Sequence, residues 1–496
     1  MGRARRIFNA AVASILIGII PCLFILVNCE TSQSLTRKRI RAVEKGLIKA
    51  VVFESKKMEK MRLADRMAYY RVPGVSLAVV DKHKIEWAKG YGVQEAGKEH
   101  PVTVHSLFQT GALSQSLSSL AALYLVGRGD IVLDGDVNKA LRSWKIPQNR
   151  LTSQRNVTLR HLLSHSAGLV PLLFKGYAQD DPIPKLIQVL NGEDPADFSP
   201  VLVDSLPGST VRYSEAGYAV VQQLLVDLEQ KPFPEILEEV VLSPLRMSHS
   251  SFQDPLPDAL REEAVSGHDR QGKPLRGKWQ RFPVSAAAGL WTTPSDLALV
   301  VIDLIETALG RSQTIIPTQL ARTMLTPLEG TYSGLGFSVY DEGDNLHFLQ
   351  RGEREGFASC VVAYPGRGQG AVIMTNSSNG SFLVDEILRA VSEVYGWPHF
   401  KPAVKALYRL QPSVYAQYEG LYEVNPDYRL KVTHEDYYLV VQPTGQMPTK
   451  FFVESQTTFF STGPYIHIQF IRDADGRVSG LILRQRGTRL EAKKID

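Results

Sequence analysis

The amino-acid sequence predicts an α+β fold, an antiparallel sheet flanked by helices, followed by a separate antiparallel β unit. Strand-like runs stand at both ends of residues 73–401, and helical patterns lie between them. One sheet assembled from distant segments and covered by helices follows from that order. After Pro402 the pattern changes to short strands that alternate aromatic and polar residues. The chain therefore divides into a large α+β domain and a smaller β domain.

The first element is an apolar segment at the N-terminus. Three arginines precede an apolar run over residues 7–27, which at about 20 residues is long enough to span a bilayer. We expect residues 1–30 to be a signal or transmembrane anchor, with a retained anchor favoured over a cleaved signal or lipoprotein processing at Cys29. The leading arginines favour a cytoplasmic N-terminus, although the basic cluster at 37–41 competes with them. The expected location is membrane-anchored, with the bulk of the chain outside the cytoplasm, in a periplasm or at a cell surface.

The large domain begins after a charged, helical lead-in at residues 31–72. Pro73-Gly74 introduces a predicted hairpin, with strands at 75–80 and 85–87 around a polar turn. Apolar residues recur at helical spacing from Leu113 to Gly127. The later elements of the domain are predicted strands at 334–340, 346–349, 357–364 and 370–375, and a helix at 382–395.

A linker at residues 402–412 leads to the β domain, residues 413–496. About eight short strands are predicted in this stretch, for example at 437–441 and 466–470, with a turn at 473–476. That density of strands is typical of a small antiparallel barrel or sandwich.

Composition excludes several functional classes. The 496 residues carry a net charge of +5 without a concentrated basic stripe, so no nucleic-acid partner is expected. Only three cysteines occur, without a CxxC pair or a His/Cys cluster. We therefore expect no metal and no cofactor.

Several local motifs occur in a fixed order. They are Pro73-Gly74-Val75-Ser76, Gly90-Tyr91-Gly92, Leu133-Asp134, residues 161–169 (HLLSHSAGL), Pro207-Gly208 before Tyr213-Ser214, residues 243–247 (SPLRM), and residues 287–293 (AAGLWTT). Together they resemble the serine β-lactamase and penicillin-binding-protein family, which carries an S-x-x-K motif, over residues 73–397. The β domain resembles the lipocalin-like domain often appended to such enzymes. The resemblance implies a β-lactamase/transpeptidase-like fold with a lipocalin-like barrel.

The positions that should carry the chemistry of this family are changed. The family uses a serine at the start of a buried helix and a lysine one turn later, which takes the serine proton. Here the motif is residues 108–115 (FQTGALSQ), so Ala112 stands at the nucleophile position and Gln115 at the lysine position. Alanine is not a nucleophile, and a glutamine amide is not a base at neutral pH. No lysine occurs between Val104 and Val137, so a shift of register does not restore the pair.

The remaining cleft motifs are altered as well. Tyr213 is retained, but Glu215 replaces the asparagine of the family's Y-x-N motif. The family's His/Lys-x-Gly motif becomes Gln350-Arg351-Gly352, and residues 353–355 (ERE) replace a stretch that is usually small and uncharged. The expected cleft residues are Tyr213, Glu215, Gln350, Arg351 and Gly352, with Arg351 suited to receive a carboxylate.

Three functional hypotheses follow. The first is a catalytically inactive relative, exported and membrane-tethered, that binds a peptidoglycan-like peptide, an acylated small molecule or a protein partner. The second is an active hydrolase of the esterase, peptidase or β-lactamase type that uses other residues, with Glu215 and Tyr213 as an acid/base pair. The third is a scaffold protein that acts through the C-terminal β domain.

Overall fold

The computed structural model describes residues 33–446, 448–463, 465–485 and 488–495. The predicted N-terminal anchor, residues 1–30, lies outside them. Among the described residues, no helix has both the length and the apolar character that a membrane span requires.

The large domain is built on a six-stranded antiparallel sheet. Its strands, from one edge to the other, are Lys84–Gly92, Gly74–Asp81, Gln369–Thr375, Phe357–Tyr364, His347–Arg354 and Ser338–Tyr340. The N-terminal hairpin pairs directly with the strand at 369–375, as Val75 opposite Thr375 illustrates. The predicted fold class, with one sheet assembled from both ends of the domain, is therefore confirmed.

Helices cover both faces of the sheet because each strand alternates its side chains. Val75, Leu77 and Val79 face a layer formed by residues 33–44 and by the helices Leu63–Tyr70 and Gly380–Tyr395. Ala78 and Val80 face the larger helical layer. The helices of that layer and its connections are Leu113–Arg128, Val137–Ala140, Arg150–Gln154, Leu159–Leu163, Leu186–Asn191, Ala216–Glu229, Phe233–Leu237, Asp258–Arg261, Ser285–Ala288, Pro294–Ala308 and Thr318–Met324.

The helix Leu113–Arg128, here called the central helix, is buried on nearly every side. Its apolar and small polar residues suit burial all round, because neither carries charge into the core. The helix ends where Gly129 adopts a left-handed conformation (φ 89°) and donates its backbone N–H to the carbonyl of Leu125.

The C-terminal domain is a closed barrel of eight antiparallel strands, which confirms the predicted barrel. The strands are Gly420–Asn425, Tyr428–Glu435, Tyr438–Pro443, Thr449–Val453, Thr458–Ser461, His467–Arg472, Val478–Gln485 and Thr488–Lys494. The first strand pairs with the last, as Tyr422 opposite Lys494 shows. A short helix, Pro412–Ala416, precedes the barrel.

The lead-in and the linker differ from the sequence prediction. Between its two helices the lead-in forms a short strand, Val51–Phe53, which pairs in parallel with Ala403–Lys405 of the linker. Val51 packs in one cluster with the barrel residues Phe452 and Phe460. Strands that pair over such a distance along the chain produce no local periodic pattern by which the sequence could have predicted them. The pairing connects the large domain to the barrel.

Candidate functional site

The beginning of the central helix lies against the strand His347–Arg354. Ala112 precedes the helix as its N-cap residue, and only 8% of its surface is exposed. Its carbonyl oxygen accepts a hydrogen bond from Gln350 Nε2 at 3.1 Å. The side chain at this position is a methyl group, so it offers no atom for nucleophilic attack.

Gly352 makes the close approach of strand and helix feasible. A Cβ atom at this position would lie 1.7 Å from the carbonyl oxygen of Thr110, a contact that no other residue type can accommodate. Glycine at position 352 therefore allows the strand His347–Arg354 to lie directly against Thr110, at the beginning of the central helix.

Gln115 is fully buried one helical turn after Ala112. Its Nε2 atom donates a hydrogen bond to the hydroxyl of Tyr213 at 2.8 Å. Its Oε1 atom is also buried and has no hydrogen-bond partner among the described residues. The glutamine thus connects the first turn of the central helix to Tyr213.

Glu215 completes the connection to the opposite strand. Its carboxylate is fully buried and forms an ion pair with Arg354, at the end of the strand His347–Arg354. It also accepts hydrogen bonds from the backbone N–H of Phe174 at 2.8 Å and from the Tyr213 hydroxyl at 3.4 Å. We call Gln115, Tyr213, Glu215 and Arg354 the cleft network.

The electrostatic setting of Tyr213 keeps its phenol protonated. The residue as a whole is 43% exposed, but its hydroxyl hydrogen-bonds to the buried side chains of Gln115 and Glu215. Burial of the phenol, and then the nearby Glu215 carboxylate, raise the pKa of Tyr213 well above its ordinary value. His165 stacks on this ring, with the two ring centroids 4.5 Å apart. Burial lowers the pKa of His165 to about 4, so the imidazole is neutral at physiological pH.

Arg351 is not part of this site, contrary to the sequence prediction. Its guanidinium pairs with Asp385 of the helix Gly380–Tyr395 at 2.7 Å, on the opposite face of the sheet. Successive side chains of a strand point to opposite faces, so Gln350, Gly352 and Arg354 share the cleft face, whereas Arg351 cannot. The same alternation would have identified Arg354, which the sequence analysis did not select.

The structure brings the other selected residues together. Gln115, Tyr213 and Glu215 are in mutual contact, and Gln350 and Gly352 adjoin Ala112 and Thr110. A cavity of about 430 Å³ lies beside the network and is lined by Phe174, Arg354 and neighbouring residues.

Comparison with known proteins places these observations in a family. The Beta-lactamase family model matches residues 61–394, which is more than half of the chain. The chain belongs to the beta-lactamase family. A beta-lactamase of Pseudomonas fluorescens is 24% identical over 342 residues, covering 62% of this chain and 89% of that protein. Protein flp of Staphylococcus aureus (strain MRSA252) is 23% identical over 320 residues, covering 62% of this chain and 60% of that protein.

Solved structures share the fold of this family member. The octameric penicillin-binding protein homologue from Pyrococcus abyssi superposes with a TM-score of 0.59 at 20% identity. The alignment covers 86% of this chain and 98% of that one. A structure of SurE gives a TM-score of 0.54 at 21% identity, covering 87% and 97% of the two chains. At these identities the similarity concerns the fold alone.

Proposed function

We propose that this member of the beta-lactamase family has lost acyl-enzyme chemistry and acts by binding. The observation that supports the proposal is the cleft network beside Ala112, where the sequence resemblance leads us to expect the catalytic groups of the family. Acyl transfer needs a nucleophile and a base that removes its proton. Ala112 supplies no nucleophile, and Gln115 supplies no base because an amide does not accept a proton at neutral pH.

The network also argues against the alternative of a Glu215–Tyr213 acid/base pair. A general base must have a free acceptor that faces the substrate. The Glu215 carboxylate is engaged by Arg354, by the Phe174 N–H and by the Tyr213 hydroxyl. The raised pKa of Tyr213 further disfavours proton release from the phenol at neutral pH.

The ligand classes we propose for the cleft are a peptidoglycan-like peptide, another acylated small molecule, or a protein partner. We also propose that the N-terminal apolar segment tethers the protein to a membrane with its folded domains outside the cytoplasm. This second part rests on the arginines and the apolar run of residues 1–27. Resistance of the full-length protein to alkaline extraction of membranes, and its loss when residues 1–30 are deleted, would support the tether. Extraction of the full-length protein would contradict it.

Covalent labelling tests the proposed loss of chemistry. The full-length protein is incubated with a fluorescent penicillin and a fluorophosphonate, and its intact mass is measured. The beta-lactamase of Pseudomonas fluorescens serves as the positive control for the penicillin. We expect no adduct on the folded protein, because a missing nucleophile alone costs roughly 10⁶ in turnover in a triad enzyme. A stoichiometric adduct on one serine would contradict the proposal, and the modified residue would identify the nucleophile.

A further inference from the structure

Positive charge is concentrated in the lead-in of the large domain, where residues 33–44 form a helix. Residues 31–53 contain six basic side chains and a single acidic one, Glu44. The apolar run of residues 7–27 ends a few residues before this helix. The functional meaning of these charges depends on which of them are neutralised by carboxylates of the folded domain and which face solvent.

One face of this helix is joined to the N-terminal hairpin and to the apolar layer on the sheet. Thr36 Oγ1 donates to the Glu86 carboxylate at 3.1 Å. Arg39 forms ion pairs with Asp81 at 3.0 Å and with Glu86 at 2.9 Å. Val43, one helical turn beyond Arg39, is buried in the apolar cluster on this face of the sheet. Arg39 is therefore neutralised within the fold, and this face of the helix is covered.

The other side of the helix carries basic side chains that lack a carboxylate partner. These exposed residues are Arg37, Lys38, Arg41 and Lys45. Lys38, Arg41 and Lys45 have the i, i+3, i+7 spacing of one helical face, and the backbone N–H of Lys45 still bonds to the carbonyl of Arg41 at 3.1 Å. None of the four forms an ion pair within the described part of the chain, whereas the neighbouring Glu44 pairs with Lys89 at 2.6 Å. We call these four residues the basic face.

The layer that carries the basic face covers the side of the sheet opposite the cleft. This layer also contains the helix Gly380–Tyr395, whose Asp385 pairs with Arg351 away from the cleft. In the sequence, ten residues lead from Val27, at the end of the apolar run, to Arg37. A chain of that length spans at most about 35 Å. A membrane that holds the apolar run is therefore within reach of the basic face.

We propose that the basic face docks the folded protein onto a bilayer that contains anionic phospholipids. This proposal rests on the membrane tether proposed above and is independent of the proposed loss of acyl chemistry. The phosphate groups of such a bilayer supply the counter-charge that the four side chains lack within the fold. Each basic residue close to an anionic membrane shifts the equilibrium between undocked and docked protein by a factor of about five. Docking through this face leaves the cleft, on the other side of the sheet, open to the aqueous phase.

Lysine acetylation tests the docking. The full-length protein is placed in nanodiscs of phosphatidylcholine, with or without phosphatidylglycerol, and acetylation rates are measured by mass spectrometry after chymotryptic digestion. We expect Lys38 and Lys45 to react about threefold or more slowly in the anionic discs, and Lys139, exposed in the large helical layer, to react equally in both. Salt at about 1 M should remove the difference, because the Debye length is then about 3 Å. Equal rates at Lys38 and Lys45 in both discs would overturn the proposal.

Matched arginine variants separate the basic face from the total charge of the protein. The double variant Arg37→Gln with Arg41→Gln keeps both reporter lysines and should lower the docking equilibrium about 25-fold, so that their protection in anionic discs is lost. The control is Arg142→Gln with Arg150→Gln, which removes the same charge at two exposed positions in the large helical layer and should retain the protection. Full protection in the folded Arg37→Gln, Arg41→Gln protein would overturn the proposal.

Co-elution of the protein with the discs separates failure of the docking from failure of the tether. Protein that co-elutes with phosphatidylcholine discs but shows no protection in anionic discs retains the tether and overturns the basic face. Protein that binds only anionic discs, with Lys38 and Lys45 protected, contradicts the tether and supports the basic face. Protein that binds neither kind of disc overturns both. Free polyphosphate tests a soluble polyanion: if it protects the two lysines in phosphatidylcholine discs as well as anionic lipid does, the assignment to a membrane is overturned.

Discussion

Two buried Arg–Glu pairs lie on opposite faces of the same sheet and are built differently. On the face covered by the terminal helices, Arg66 donates to both carboxylate oxygens of Glu386 at 2.7 Å, and the Tyr70 hydroxyl adds a third bond at 2.8 Å. On the cleft face, Arg354 contacts one oxygen of Glu215, and its Nε atom is buried without a partner among the described residues.

The difference separates a pair with a complete set of hydrogen bonds from one placed in the cleft network beside Ala112. A buried ion pair is tolerated when the hydrogen bonds around it are complete, because desolvation then has compensation. The Arg66 pair has this compensation. In the cleft network Gln115 Oε1 and Arg354 Nε are buried without hydrogen-bond partners among the described residues, so this pair lacks the full compensation.

The largest effect is expected at the structural pair. Glu386→Gln leaves the Arg66 cation buried without its counter-charge and should lower the free energy of unfolding by about 3–5 kcal/mol. Chemical denaturation measures the change. Glu393→Gln is the control on the same helix, because its partner Lys60 is exposed, and it should cost less than about 1 kcal/mol. Similar losses of unfolding free energy in the two variants would contradict the inference that the buried Arg66–Glu386 pair contributes more to stability than an exposed pair.

A second test uses the neutral histidine beneath Tyr213. Because the pKa of His165 is lowered to about 4 in the folded protein from 6.5, the unfolded chain binds the proton first as pH falls. The contribution of neutral His165 to the free energy of unfolding is therefore complete above pH 6.5. It is lost as the pH falls from about 6.5 to about 4, and the loss amounts to at most about 3 kcal/mol.

The variant His165→Asn should remove this part of the pH dependence, since asparagine tolerates the left-handed backbone found there (φ 56°). Denaturation midpoints are compared between pH 7.5 and pH 4 for wild type and variant. His100→Asn, at an exposed position, should retain the wild-type profile. An unchanged profile in His165→Asn would show that this histidine is not the group that titrates.

The smallest effect is expected at the cleft pair. Glu215→Gln should cost about 1–3 kcal/mol, less than Glu386→Gln, because Arg354 lines the adjoining cavity and can turn toward solvent. The measurement is denaturation with a double-mutant cycle that combines Glu215→Gln and Arg354→Gln. Glu239→Gln, which removes a surface pair with Lys231, is the control and should be close to neutral. A loss as large as that of Glu386→Gln would mean that the cleft network is a structural element like the other pair.

The sequence predicted the elements of the fold well wherever one strand or helix carries its own pattern. The strand at 357–364 was placed correctly because all its residues are apolar or small, as in a strand buried on both faces. The strand predicted at 346–349 extends in the structure to Arg354. Its second half, residues 350–354, is polar and charged, so no apolar pattern marked it, although its alternate residues Gln350, Gly352 and Arg354 face the cleft.

The site was predicted in its residue types but not fully in its geometry. Ala112, Gln115, Tyr213 and Glu215 could be located because motif spacing along a helix or turn is local. The assignment of Arg351 to the cleft was wrong. That prediction relied on the charge of the residue and on its position in the motif, and it did not consider that successive side chains of a strand point to opposite faces. Arg354 could be assigned only once the strand was known to continue to its position.

By itself, the sequence determined that the chain has an α+β domain and a β-barrel domain, and it has Ala112 and Gln115 where the resemblance leads one to expect a serine and a lysine. Those features depend on the local periodicity of apolar residues and on the identity of single residues, both of which can be read from the sequence. Only the tertiary structure decided which arginine faces the cleft and that the lead-in pairs with the linker. Each of these features depends on contacts between residues that are distant along the chain. Packing of the whole fold determines which of them pair, and such pairing produces no periodic pattern in the sequence.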